Sequence, residues 1–274
     1  MDRRWFLGAS AGSVILSATR ATYAGSDHIG DIGVQLYTVR REFERDFEGT
    51  LLKIAAIGYR EVEFVDLFGR PSGAVRAMLD RHGLVAPSSH VGYDALDDRL
   101  PQSLEAAKIL GQSYIVCAWI DAELRREPDV WRRAAERFNR AGEASKKLGI
   151  QFAYHNHDFE FAPVDGRLPY DILLAETDPE LVKMEMDLYW ITKGGQDPVD
   201  YFDRHPGRFP LVHVKDMDRT GEIADVGSGT LDFARMFARS EAAGIRHYLV
   251  EHDNARSPIE SVSASYRFLR RLRF

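Results

Sequence analysis

One cysteine, Cys117, stands among 274 residues. A lone thiol excludes an intramolecular disulfide and any metal site built from a cysteine cluster. A basic excess is missing too: 36 Lys and Arg face 42 Asp and Glu, for a net charge of −6. A non-specific nucleic-acid binder needs a basic face, so that class is disfavoured. No Gly-x-Gly-x-x-Gly turn follows the first strand-like run, which leads into Tyr37-Thr38-Val39-Arg40. A doubly wound dinucleotide fold would want one there. Low-complexity tracts and interdomain linkers are also lacking. What is present is an ordinary globular profile, 45% hydrophobic, 11% aromatic and 28% charged, which argues against a mainly disordered chain. The length suits one large α/β domain, since barrels of that class run to about 250 residues.

The chain opens Met1-Asp2-Arg3-Arg4-Trp5-Phe6-Leu7, continues through a modestly apolar stretch from Leu7 to Ala18, and reaches small residues ending Thr22-Tyr23-Ala24. Basic, apolar and small segments in that order are the layout of an export signal. The apolar stretch rises only about 18 Å as a helix, short of a bilayer core of roughly 30 Å, so no stable membrane insertion is expected. Arg-Arg-x-Phe-Leu resembles the twin-arginine signal, which exports proteins already folded, often with a metal or cofactor in place. Residues 1–24 are therefore read as a signal for the twin-arginine export machinery and residues 25–274 as the mature domain, located in the periplasm. A ragged basic N-terminus is the plain alternative. Cleavage near Ala24 would remove three arginines and one aspartate and make the balance more acidic. A single thiol suits an exported chain because it cannot mispair within itself.

From there, short apolar runs alternate with longer amphipathic ones. Strand candidates lie at 33–38, 61–65, 85–90, 114–118, 151–155, 182–187, 211–214 and 248–251. Helical spacing, with apolar residues at i, i+3 and i+4, fills 50–57, 75–82, 104–110, 130–148, 170–176, 199–205, 233–243 and 259–272. Gly58, Gly83, Gly111, Gly149 and Gly244 follow helical runs, where a left-handed cap belongs. Strand–helix alternation repeated eight times predicts parallel strands joined by right-handed crossovers, closed into a single-domain α/β (β/α)8 TIM barrel.

Active sites of such barrels lie at the C-terminal ends of the strands. In strand order those ends deliver Gln35 and Tyr37; Glu63 and Asp66; His90; Trp119; His155, His157 and Glu160; Glu185, Asp187 and Trp190; His213, Lys215 and Asp216; and Glu251 and His252. Every strand ends in groups able to bind a metal, a proton or a hydroxyl. His155 and His157 share a direction if extension continues, or are simply hydrogen-bonded loop histidines. Asp187, His213 and Glu251 at the next three strand ends strengthen a metal reading. Each also has a plainer one: a turn-capping aspartate, a satisfied core histidine, a salt-bridge partner. Carboxylates with one imidazole suit one divalent ion, Mn²⁺, Mg²⁺ or Co²⁺, with Zn²⁺ also compatible.

Four motifs carry a resemblance. Tyr154-His155-Asn156-His157-Asp158-Phe159-Glu160, Met186-Asp187-Leu188-Tyr189-Trp190, Leu211-Val212-His213-Val214-Lys215-Asp216 and Val250-Glu251-His252-Asp253 resemble the xylose-isomerase-like TIM barrel family of sugar (phosphate) isomerases and epimerases. Inosose dehydratases and endonuclease IV are relatives. The resemblance covers about Ile32 to Leu272 and implies one divalent ion held by Glu, Asp, His and Glu from the fifth to eighth strands. Asp187, His213 and Glu251 match the last three. Many relatives place a Glu inside the fifth strand, where this chain has Ala153-Tyr154-His155. The nearest carboxylate is Glu160, later on the loop, where the resembling sugar epimerases have a substrate-contacting Glu; Glu160 is taken as the fourth ligand, with His155 or His157 as substitute.

A site of this kind supports enolate chemistry. A divalent ion beside a hydroxy-ketone supplies carbonyl polarisation, and a carboxylate beside the acidic carbon removes its proton. Proton return elsewhere gives isomerisation or epimerisation, whereas loss of a β-leaving group gives elimination. Glu160 and Glu251 are expected as proton carriers. Lys215 and His157 are expected to steady charge on oxygen. Gln35, Glu63, His90, Trp119, His155, His157, Trp190 and Lys215 are expected to hold the sugar. The expected function is a metal-dependent sugar or keto-sugar isomerase or epimerase working through an enediolate. A lyase or hydratase acting by elimination on 3-keto-glycosides or cyclitol ketones is the alternative, and a non-catalytic sugar-binding barrel the second. Export favours an unphosphorylated carbohydrate substrate. Gly227-Ser228-Gly229-Thr230 is the one phosphate-cradle candidate in the last loops, and its favoured reading is a flexible turn before the helix starting near Asp232. Nucleic acid is not an expected partner, and the family resemblance is compatible with a homodimer.

Overall fold

The structure, a computed structural model, describes residues 27–126 and 129–274. The export segment expected at 1–24 lies outside the described residues. Among them no helix is long and apolar enough to cross a membrane. Eight parallel strands form the barrel: β1 (Gly33–Gln35), β2 (Glu61–Phe64), β3 (Val85–Val91), β4 (Tyr114–Cys117), β5 (Gln151–His155), β6 (Val182–Asp187), β7 (Leu211–Val214) and β10 (His247–Val250). An antiparallel ribbon of β8 (Asp216–Met217) and β9 (Ile223–Ala224) sits in the loop after β7. The helices are α1 (Arg40–Arg45), α2 (Phe47–Ile57), α3 (Ser72–His82), α4 (Leu100–Leu110), α5 (Val130–Lys146), α6 (Pro169–Glu176), α7 (Leu188–Lys193), α8 (Pro198–Arg204), α9 (Phe233–Phe237), α10 (Ser240–Ala243) and α11 (Pro258–Leu269).

Each crossover helix forms because one stripe of its surface is apolar. In α5 that stripe is Val130, Trp131, Ala134, Ala135, Phe138, Ala141, Gly142 and Ser145, all buried, at the i, i+3, i+4 spacing of a helix packed on one side. The barrel closes where β1 pairs with β10, Gly33 opposite Leu249 and Val34 opposite Val250. Gly33 is required at that seam: a Cβ there would lie 2.5 Å from Leu249 Cδ2 and 3.0 Å from Glu61 Cβ. Inward-facing positions alternate along each strand, so Leu211, His213 and Lys215 climb one inner wall. Tyr114, Val116, Ala153, Leu211 and Leu249 form an apolar layer inside the barrel. Two residues beyond Ala153, Leu211 and Leu249, towards the C-terminal ends of their strands, stand the polar His155, His213 and Glu251.

Several boundaries differ from the periodic reading. The first strand stops at Gln35 rather than running to residue 38, because Gln35 Oε1 accepts a hydrogen bond from Tyr37 N and caps a 3-10 turn over Leu36–Val39. Tyr37 is thereby turned outward beneath the Arg40 guanidinium, 3.8 Å above its ring. The helix expected at 233–243 is broken into α9 and α10. Helix α5 ends at Lys146, ahead of the left-handed Gly149. Helices α1 and α7 have no counterpart among the periodic runs, being a single turn or two each.

Candidate active site

A polar layer spans the barrel axis. Glu63 Oε2 accepts from Gln35 Nε2 at 2.6 Å and lies 2.8 Å from His213 Nε2 and 3.1 Å from His90 Nε2. Glu185 Oε2 lies 2.8 Å from His90 Nε2, 3.1 Å from His155 Nδ1 and 3.2 Å from His213 Nε2. Two imidazoles are thus held between two carboxylates, and both carboxylates are fully buried. Burial opposes every charge here, but the pairing outweighs it. Glu63 is held well below the usual carboxylate range by His90 and His213. Glu185 is brought down to about 2, against burial and the Glu63 charge, by His213 and His90. Against burial, Glu63 and Glu185 raise His90 to about 10, and Glu185 and Glu251 raise His213 well above its ordinary value. His155, desolvated and beside His213, is pushed the other way and is neutral.

One step nearer the mouth, Lys215 Nζ lies 3.0 Å from Asp187 Oδ2, 2.8 Å from Glu251 Oε2 and 2.8 Å from Asp253 Oδ1. Glu251 Oε2 is also 2.9 Å from His213 Nδ1, which joins the two layers. Asp187 ends β6 and starts α7. Its Oδ1 accepts from Trp190 N and caps that helix, while its Oδ2 meets Lys215 and lies 4.0 Å from both His155 Nε2 and His213 Nδ1. The turn-capping and cation-facing readings of Asp187 therefore both hold, one oxygen each. Burial pushes its carboxyl up to about 6 even with Lys215 alongside. His213 likewise has a carboxylate at each nitrogen, as a satisfied core histidine would, and it is also the residue the two layers share.

The rim is aromatic. His157 lies against the edge of Trp119, with centroids 4.8 Å apart, stacks on Phe159 at 5.3 Å and faces Trp190 at 5.6 Å. Its Nδ1 and Trp190 Nε1 are buried without hydrogen-bond partners. Desolvation, with Lys215 nearby, lowers His157 to about 3. Trp119 is 41% exposed and shares the Arg125 guanidinium with Phe159.

Glu160 is placed elsewhere. It is buried in a 3-10 turn after β5, where Oε1 accepts from the Tyr154 hydroxyl and Oε2 from His157 N at 2.8 Å. Both oxygens hold the β5 loop, and Glu160 is absent from the groups whose donor atoms converge. The fifth-strand residue that faces the cluster is His155. Asp216 is turned away from the mouth. Its carboxylate accepts from Gly227 N, Gly229 N, Leu231 N and Met217 N. The Gly-Ser-Gly backbone is thus a turn whose amides are occupied by the chain's own carboxylate, not a free phosphate cradle. Asp66 caps a loop through Phe68 N. Asp253 was not singled out from sequence, and its signal was its place two residues after Glu251, on the same face if extension continued.

Two sets of donor atoms lie mutually within 4.8 Å: His90, His155, Glu185 and His213; and Asp187, His213 and Glu251. They fit a cation on two grounds. Glu63 Oε1 and Glu185 Oε1 are buried acceptors without a hydrogen-bond donor, and Asp187 Oδ2 meets Lys215 without hydrogen-bond geometry. Five carboxylates also converge here: Asp187, Glu251 and Asp253 on Lys215, and Glu63 and Glu185 on His90 and His213, and buried negative charge that outnumbers these three cations calls for further positive charge.

Comparison with known proteins agrees with this architecture. The family model described as xylose isomerase-like TIM barrel matches residues 51–272. An inosose dehydratase from Geobacillus kaustophilus is 25% identical over 229 residues, covering 69% of this chain and 74% of that one. Matches to inosose dehydratases of Lacticaseibacillus casei span only about half of those chains. The crystal structure of a sugar phosphate isomerase/epimerase from Parabacteroides distasonis superposes with a TM-score of 0.75 at 29% identity, covering 91% of this chain and 96% of that one. A 3-keto-D-glucoside 4-epimerase from E. coli superposes with a TM-score of 0.69 at 18% identity, covering 88% and 99%, a likeness of fold alone.

Proposed function

Because this chain belongs to the xylose isomerase-like TIM barrel family, we propose that it is a metal-dependent isomerase or epimerase acting on a sugar or keto-sugar by way of an enediolate. The observation that carries the reading is the convergence of Asp187, His213 and Glu251 on one point at the barrel mouth. His155, 4.0 Å from Asp187 Oδ2, supplies the fifth-strand side chain for which the family resemblance nominated Glu160. The imidazole share of the two donor sets favours Mn²⁺, Co²⁺ or Zn²⁺ over Mg²⁺. When bound, such an ion supplies Lewis-acid polarisation of a ketone oxygen.

The chain's own residues account for the rest. Lys215, fixed by three carboxylates, presents a permanent positive charge where negative charge develops on oxygen. Glu251, 2.8 Å from it, is the carboxylate placed for proton transfer. His157, with its unpartnered Nδ1 at the rim, is placed to accept or orient a substrate hydroxyl. Trp119 and Trp190 wall the sugar face and limit water. Glu160 acts through the His157 loop it holds, as a positioning residue. Gln35, Glu63 and His90 form the floor on which the polar end of the sugar rests.

The inosose dehydratases among the relatives favour a second reading, elimination next to the ketone. It shares the first proton removal and differs in the fate of the enolate. Elemental analysis and product NMR in D₂O with keto-sugars test both. Stoichiometric metal in the wild type, lost in Asp187→Ala and His213→Ala together with turnover, is expected; metal content unchanged in both variants would refute the ligand set. Deuterium incorporation without a change of formula supports isomerisation or epimerisation, and loss of water or an aglycone supports elimination. Export to the periplasm by the twin-arginine route remains part of the proposal, tested by N-terminal sequencing of the mature protein.

A further inference from the structure

We propose that the cleft where the β1 and β10 ends meet is a subsite for an oxyanion carried by the substrate, a carboxylate or a phosphate on the sugar. This cavity, about 400 Å³, is lined by four arginines: Arg40, Arg41 and Arg45 on α1, and Arg256 on the loop after β10. The volume lies within the range of small-molecule sites. In a chain of net charge −6, four guanidiniums on one cavity wall are a local design rather than an average of composition. Arg40 is structural. It donates to the carbonyls of Tyr37 and Asp253, at 2.7 and 2.9 Å, and so pins the first and last loops together. Arg41, Arg45 and Arg256 have no carboxylate within 4 Å among the described residues, in contrast to the many arginines elsewhere that do, such as Arg81 with Glu48 and Arg137 with Asp97. These three line the cleft without an ion-pair partner among the described residues.

The cleft adjoins the candidate active site through one shared residue, Asp253. Asp253 lines it and, on its other side, stands 2.8 Å from Lys215 Nζ. A ligand seated at Lys215 and extending past Asp253 meets the arginines, whose planar fork matches a carboxylate or phosphate. Glu42 also lines the cavity and opposes an anion there. The inference deepens the reading of a sugar enzyme and rests on it for the remainder of the ligand, but binding at the cleft is measurable without turnover.

The test is calorimetric titration of D-glucuronate, D-glucose 6-phosphate and D-glucose into the full-length protein in EDTA, so that no metal ion bridges the anion. The wild type is expected to bind at least one charged sugar about tenfold more tightly than glucose, and the tighter of the two identifies carboxylate or phosphate as the source. Arg41→Gln and Arg256→Gln, both exposed positions, should each remove about threefold of that preference, and together nearly all of it. Glu42→Gln should increase it, and rising salt should erode it. The proposal is overturned if neither charged sugar outcompetes glucose, or if the preference survives in the Arg41→Gln/Arg256→Gln double variant. A preserved preference alongside an Asp187→Asn variant with undiminished metal content and turnover would sink the metal-enzyme reading and leave the subsite standing.

Discussion

Lys215→Met isolates what the buried ammonium does. Lys215 is 1% exposed and stands 2.8–3.0 Å from Asp187, Glu251 and Asp253. Methionine keeps the volume and removes the charge. Taking away one partner of a buried ionic cluster costs about 3–5 kcal/mol, because the carboxylates left behind are desolvated and uncompensated. For a domain of this size about 1 kcal/mol corresponds to roughly 2–4 °C in Tm, so the metal-free variant should melt some 6–20 °C below the wild type. A divalent ion should repair part of that. It competes with the ammonium in the wild type but not in the variant, so it binds the variant more tightly, and each hundredfold excess over Kd contributes about 2.7 kcal/mol. Thermal unfolding by circular dichroism with EDTA and with Mn²⁺ reads both effects. Turnover should be lost even with metal present, since the charge facing the substrate oxygen is gone. An unchanged Tm in EDTA, or equal stabilisation of both proteins by Mn²⁺, would refute the account of a carboxylate cluster that needs a cation.

Two further perturbations probe the scaffold. Burial raises Glu160 to about 7 from an ordinary 4.5, despite the bonds from Tyr154 and His157. An acid whose folded value lies above its unfolded one contributes stability that is lost as pH rises between the two, so the wild type should weaken relative to Glu160→Gln from about pH 5 to pH 8 in urea titrations, and a wild-type gain over that window would contradict the burial of Glu160. Gly33→Ala forces a methyl to within 2.5 Å of Leu249 Cδ2 at the closing seam, an overpacking expected to cost about 1–3 kcal/mol in the urea midpoint, and a neutral result would mean that the seam relaxes freely.

Periodicity made the barrel legible because each strand and crossover helix announces its buried stripe locally. The site was legible in part for the same reason. Once strand ends are located, His155, Asp187, His213, Lys215 and Glu251 follow from position in the fold. The direction of each side chain was not. Glu160 sits close in sequence to His155, but its oxygens satisfy the buried Tyr154 hydroxyl and the His157 amide, a local hydrogen-bond demand that spacing cannot weigh. Asp187 divides its two oxygens between a helix cap and the cluster, so two competing readings of one residue turn out to describe different atoms.

What the sequence hid most completely are contacts made by closure. Glu63 and His213 are 150 positions apart yet 2.8 Å from each other, and no local pattern pairs them until the eight strands curl round. The arginine cleft has the same origin. Arg40, Arg41 and Arg45 follow the first barrel strand and Arg256 follows the last, so along the chain they read as separate solvated charges, and a search for an anion cradle confined to the final loops finds only the Gly227–Gly229 turn that Asp216 already fills. Because β1 pairs with β10, the two ends of the domain become neighbours, and charges that are unremarkable singly become a concentrated field beside Lys215. Closure therefore does more than complete the hydrogen-bonding of the sheet: it assembles, at the seam, a group of arginines that Asp253 joins to the carboxylate cluster around Lys215.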